Sequence, residues 1–149
     1  MAMQQEVTMG LYGLPFEGIK GIRSEIARVQ QQEAQWMDAL NALQQVMRTT
    51  FGYRLPLTLS RRKNKAYAPL MWRQGKTNRR LYGGLETPEG QGILKALPPE
   101  QQRELLNIEF KRIHLNHVVG LLQYEIARLK RLESEFEAWR DWMRDVNQH

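Results

Sequence analysis

The chain has no cysteine and only three histidines among its 149 residues. Lack of cysteine excludes disulfides and thiolate-held metals, and fits a reducing cytoplasm. No apolar run approaches the roughly 20 residues needed to span a bilayer. The start, MAMQQEVTMG, lacks the basic and apolar regions of a signal peptide. The expectation is a soluble, cytoplasmic protein without membrane contact. Hydrophobic residues make up 42% of the chain, too many for the disordered class. Its length is one domain's worth, and we read 1–149 as a single domain.

Catalytic signatures are also absent. His114 and His117 in RIHLNH stand three apart on a helical pattern, and the nearest acid before them is Glu109. No HExxH or equivalent ligand spacing accompanies them, so they read as structural or solvated rather than as metal ligands. There is no G-x-S-x-G nucleophile elbow. The glycines of GLYGLPFEG and GGLETPEGQG match neither the P-loop nor the dinucleotide fingerprint. Glu133, Glu135 and Glu137 lie near Arg131 and Arg140, an ordinary exposed helix face. The expectation is a protein that is not an enzyme, with no cofactor, no metal and no small-molecule substrate.

The most informative absence is acid. From Ala39 to Leu85 there is no Asp or Glu, but ten basic residues: Arg48, Arg54, Arg61, Arg62, Lys63, Lys65, Arg73, Lys76, Arg79 and Arg80. The remaining chain holds 22 − 10 = 12 basic and 16 acidic residues, so the net +6 is a segment of +10 on a scaffold of −4. Clustered like charge destabilises a fold unless an anionic partner is bound.

Periodicity places that segment between helices. Residues 1–15, with Gly10, Gly13 and Pro15, show no period and read as a loose leader. Ile19, Ile22, Ile26, Val29, Trp36, Leu40, Leu43 and Met47 follow a three-four alternation, the seam of a long helix over 16–51. Gly52 is its expected cap. Pro98 and Pro99 open a second long helix over 98–146, with a stripe of Val118, Leu122, Ile126, Leu129, Leu132, Phe136, Trp139, Met143 and Val146. Both helices contain EIAR, at Glu25–Arg28 and Glu125–Arg128.

In the basic segment the period changes. RLPLTLS alternates, AYAPLMWRQ follows, Gln74–Thr77 is turn material, and RRLYGGL comes last. These predict a three-stranded antiparallel β-meander over 54–85. Thr87 and Pro88 then open a short helix. The expected fold is α+β, a long antiparallel helical hairpin of coiled-coil type with the meander between its two helices.

Strand alternation puts Tyr67, Pro69, Met71 and Arg73 on one face, and Ala68, Leu70 and Trp72 on the other. Basic side chains meet phosphates by charge and counterion release, and aromatic rings or Arg planes stack on bases. The candidate phosphate contacts are Arg61, Arg62, Lys63, Lys65, Lys76, Arg79 and Arg80. Tyr67, Trp72, Arg73 and Tyr82 are candidates for base or sugar contact. Against this, Trp72 and Tyr82 can equally be core residues that anchor the sheet to the helices.

The stretch PLMWRQGKTNRRLYGGL, followed by EFKRIHLNHVVGLLQYEIAR, resembles a family of small proteins encoded on bacterial integrating conjugative elements, some described as integrase regulators. Leu70 and Trp72-Arg73 carry the resemblance on the ribbon; Arg112-Ile113, Leu115-Asn116 and Ile126-Ala127-Arg128 carry it on the last helix. It spans about Leu55 to Leu132, and the SRRKNK cluster is not part of it. The resemblance implies a mobile-element setting and no activity or site. The expectation is therefore a nucleic-acid-binding accessory or regulatory protein, with DNA favoured over RNA. A homodimer paired through the helical seams is compatible with it. The alternative is a non-enzymatic module whose ribbon docks on an acidic protein.

Overall fold

Apolar residues at three-four spacing wind Ile19–Phe51 into helix α1, 33 residues long. Gly52 ends it with φ +54° and donates its N–H to Arg48 O at 2.9 Å, the left-handed cap glycine adopts most easily. Strands β1 (Leu57–Ser60) and β2 (Met71–Gln74) follow, then a 3-10 turn at Gly84–Glu86, helix α2 (Pro88–Lys95) and the 49-residue helix α3 (Pro99–Asn147). The structure, a computed structural model, describes residues 16–52, 54–61, 69–74 and 84–148, with the side chain of Gln74 excepted. Among these no helix is long and apolar enough to cross a membrane.

The expected α+β class with a three-stranded meander is not what forms. Helices dominate, and the described strands make one two-stranded antiparallel sheet, β1 against β2, pairing Leu57 with Gln74 and Ser60 with Met71. Two physical reasons oppose a third strand on β2. The backbone N–H and C=O of Leu70, at the mouth of β2, are already bonded by Asn116 of α3, at 2.9 Å each. The end of RRLYGGL also turns: Gly84 has φ +80° and opens the 3-10 turn, a geometry that cannot continue a strand. Residues 79–83 lie outside the described residues.

The chain divides into two compact units, each holding part of both long helices. In the unit formed by residues up to 33 and from 122, α1 and α3 pack through Ile22, Ile26, Val29, Ile126 and Leu129, all buried, with Phe16, Leu122, Leu132 and Phe136 half-buried beside them. Arg23 reaches Glu133 at 2.9 Å and Glu137 at 2.8 Å, whereas Arg28 acts electrostatically on Glu125. Rising numbers on one helix meet falling numbers on the other, so the pair is antiparallel. The two EIAR segments are neighbours here, each closing its own Glu–Arg ion pair, Glu25 with Arg28 and Glu125 with Arg128. These pairs are solvent-exposed and add little stability; the apolar seam holds the helices. Along the expected stripe of α3, Trp139, Met143 and Val146 are exposed instead of buried. They lie beyond Phe136, the last residue of α3 packed against this core.

The second unit, residues 34–121, has its own core: Leu40, Leu43, Met47 and Phe51 of α1, then Leu55, Leu57 and Leu59, Leu70 and Trp72, Leu85, Leu94, and Leu105, Ile108 and Val119 of α3. Val119, not the expected Val118, takes the buried position, and Trp36 of the expected α1 seam is exposed.

Helix α2 docks on the 3-10 turn through Gly90. The Thr87 hydroxyl caps α2 by accepting from Gly90 N–H at 3.1 Å, and it donates to Gly84 O at 2.8 Å. A Cβ on Gly90 would lie 2.6 Å from Leu85 Cα and 2.7 Å from the carbonyl oxygens of Gly84 and Leu85. Glycine to alanine inside an open helix gains up to about 1 kcal/mol. At Gly90 the sign reverses, and Gly90→Ala loses about 1–3 kcal/mol as backbone is forced from backbone. Gly92, on the same helix with open space at its Cβ, is the control. Urea midpoints should fall for Gly90→Ala and hold or rise for Gly92→Ala; equal shifts would refute the close docking.

Candidate nucleic-acid interface

The ribbon has an inner and an outer face because side chains alternate along each strand. Leu57, Leu59, Leu70 and Trp72 are buried, while Thr58 is exposed and Ser60, Met71 and Arg73 are half-buried. The register sets Thr58 opposite Arg73 and Ser60 opposite Met71 on the outer face, with Leu59 opposite Trp72 on the inner. Arg73 therefore stands on the outward side, and no acid among the described residues pairs with it.

Trp72 belongs to the core. Its side chain is buried to 1% exposure, and its indole N–H donates to the Glu109 carboxylate of α3. A base needs an open ring face to stack on, and this ring has none. Trp72 is therefore the sheet's anchor, the alternative that its strand position next to Leu70 allows, and it is withdrawn from the base contacts.

Glu109 is the hub of a polar cluster joining α3 to β2. Arg112 Nε and Nη2 grip its carboxylate at 2.8 and 2.6 Å, and Arg112 Nη1 donates to Leu70 O at 3.1 Å. Asn116 pairs with Leu70 on both backbone groups, as a neighbouring strand would. Burial alone would push the Glu109 carboxyl up, but the hydrogen bonds from Arg112 and Trp72 together hold it below the usual carboxylate range. Sequence alone assigns Glu109, Arg112 and Asn116 no role at the ribbon. Their spacing of three and four places them on one helix face, a polar stripe beside an apolar one, and that is the signal that could have found them.

Arg61, directly after β1, turns back to α1, where it donates to Asn41 Oδ1 and to Met37 Sδ at 3.3 Å. It anchors the ribbon to the helix as much as it offers charge. Arg62, Lys63, Lys65, Tyr67, Lys76, Arg79, Arg80 and Tyr82 lie outside the described residues. Among the described residues no three His, Asp or Glu side chains are placed to hold a metal. His114 is exposed, with its Nδ1 3.0 Å from Phe110 O and its ring 4.3 Å from that of Phe110. The arrangement is thus a ribbon bolted to α3 by its inner face and one edge, with Arg112 Nη1 also 3.9 Å from Met71 Sδ, leaving Thr58 and Arg73 on the other side. Comparison with protein-family models, curated proteins and solved structures finds no match to this chain.

Proposed function

We propose that this protein binds nucleic acid, DNA in preference to RNA, through the outer face of the β1–β2 ribbon and the basic residues that follow each strand. The observation that carries this reading is the acid-free span from Ala39 to Leu85 with its ten Lys and Arg. The outward Arg73 supports it, and the inward Trp72 does not weaken it, because phosphate contacts supply most of non-specific affinity. In this reading the protein is an accessory or regulatory factor, and the mobile-element setting rests on the resemblance alone.

The test is fluorescence anisotropy with a labelled duplex at about 50 and 200 mM salt, a range over which phosphate-driven binding weakens steeply. Changing Arg62, Lys63 and Lys65 together to Ala should weaken binding to every sequence alike and lower the salt slope by about 0.9 for each phosphate no longer neutralised. Arg61 is left in place because its anchoring bonds would confuse charge with stability. Absence of binding to duplex or single strands at the lower salt would overturn the reading and favour docking on an acidic protein.

A further inference from the structure

The open edge of β1 carries a second, independent inference. A groove of about 190 Å³ is lined by Gln44, Met47, Arg48 and Gly52 on one side and by the four consecutive residues of β1 on the other. Inward-facing Leu57 and Leu59 and outward-facing Thr58 and Ser60 all line it, so it follows the strand's backbone edge rather than either face. A cavity on the order of 150 Å³ takes a benzene-sized group, so this groove has room for an aliphatic side chain.

Two observations fix which backbone groups look into it. Gln44 Nε2 donates to Leu59 O at 2.8 Å from α1. On the far side of the sheet, Leu70 turns its N–H and C=O to Asn116. By the two-residue period Met71 and Arg73 then face β1, bonding Ser60 and Thr58. Leu57 and Leu59 are left with N–H and C=O directed to the open edge. Gln44, Met47, Arg48 and Gly52 form the opposite wall; among the described residues only the Gln44 side chain bonds this edge, and the Ser60 hydroxyl oxygen is buried without a partner.

We propose that this edge receives an extended segment of a partner protein as an added β-strand, with an acidic side chain of that segment set against Arg48. An extended chain is the one ligand that matches alternating backbone donors and acceptors along a strand. The acid is specified by charge: Arg48 is exposed and lines the groove, no acid lines it with Arg48, and among the described residues no ion pair occupies Arg48. Gln44 is then a latch, its amide occupying the Leu59 carbonyl until a strand takes its place. This site adjoins the outer face assigned to nucleic acid and shares Thr58 and Ser60 with it, but its ladder groups are the edge-directed N–H and C=O of Leu57 and Leu59.

The experiment titrates the full chain into labelled eight-residue peptides: one alternating valine and glutamate, one alternating valine and lysine, and the first N-methylated at alternate residues. The glutamate peptide should bind, and N-methylation should weaken it about ten-fold or more by removing ladder donors. Gln44→Ala should tighten binding a few-fold by freeing the Leu59 carbonyl, and Arg48→Glu should reverse the preference from the glutamate to the lysine peptide. Hydrogen exchange should slow at the Leu57 and Leu59 amides when peptide is added. Equal binding of the methylated or the lysine peptide, or none at millimolar concentration, would overturn the proposal. So would protection of the same amides by self-association. Duplex binding is measured in parallel, and its failure would leave this inference intact.

Discussion

Trp72→Ala lowers the unfolding free energy by about 3–5 kcal/mol, the range for truncating a large buried aromatic side chain. Its position explains the size of the loss. The ring sits in the core of residues 34–121 between strand and helix residues, and its N–H is one of the donors that hold the Glu109 carboxylate. Truncation opens a cavity and removes a hydrogen bond from a half-buried charge in one step. Trp72→Phe separates the two, keeping most of the apolar volume while deleting the donor, and should lose about 1–3 kcal/mol. Urea unfolding by circular dichroism measures both. In the same samples, duplex binding by the folded fraction should be unchanged for Trp72→Phe. A Trp72→Ala protein of native stability with lost DNA affinity would return Trp72 to the interface and refute its assignment to the core.

The residues read correctly from the sequence are those whose neighbours along the chain decide their environment. The three-four spacing of Ile22, Ile26 and Val29 marks a helix seam because one helix face repeats at that period, and those residues are buried. Alternation groups Trp72 with Leu70 and both are buried, so naming Trp72 as a base contact goes against its own strand phase; Arg73 falls on the opposite face. What fails depends on residues far away in sequence. RRLYGGL alternates like a strand, but nothing local reveals that Asn116, 46 positions from Leu70, bonds the backbone at the mouth of β2. Val118 and Val119 are chemically identical, and only the drift of the helix against its partner decides which one is buried. Glu109, Arg112 and Asn116 look like surface polar residues of a long helix. They become an anchoring cluster only once β2 lies on them. The groove beside β1 is illegible for the same reason, since Gln44 and Leu59 meet through tertiary folding.

Arg112→Met should destabilise the protein by about 1–3 kcal/mol at neutral pH, the range for leaving one partner of a hydrogen bond unsatisfied at a half-buried site. Arg112 and Glu109 side chains are each 12% exposed, so solvent replaces the lost guanidinium only in part. Methionine keeps much of the volume, leaving the charge as the principal change. The pH dependence tests that assignment. In the native protein the Glu109 pKa is lowered, below an unfolded value of about 4.3. Its contribution is therefore present above that pH and is lost as pH falls through the folded value. Without Arg112, the burial that favours the neutral acid outweighs the single remaining bond from Trp72, and the folded pKa rises above the unfolded one. The sign then inverts: Glu109 destabilises the variant at neutral pH, and acidification relieves it. The stability gap between native protein and Arg112→Met should shrink between pH 7 and about pH 4, near the unfolded Glu pKa. Adding Glu109→Gln to Arg112→Met should restore part of the loss at pH 7 by removing the unpaired charge. A gap that stays constant across that range, with no rescue by Glu109→Gln, would mean that Arg112 acts through packing and its bond to Leu70 O rather than through the carboxylate.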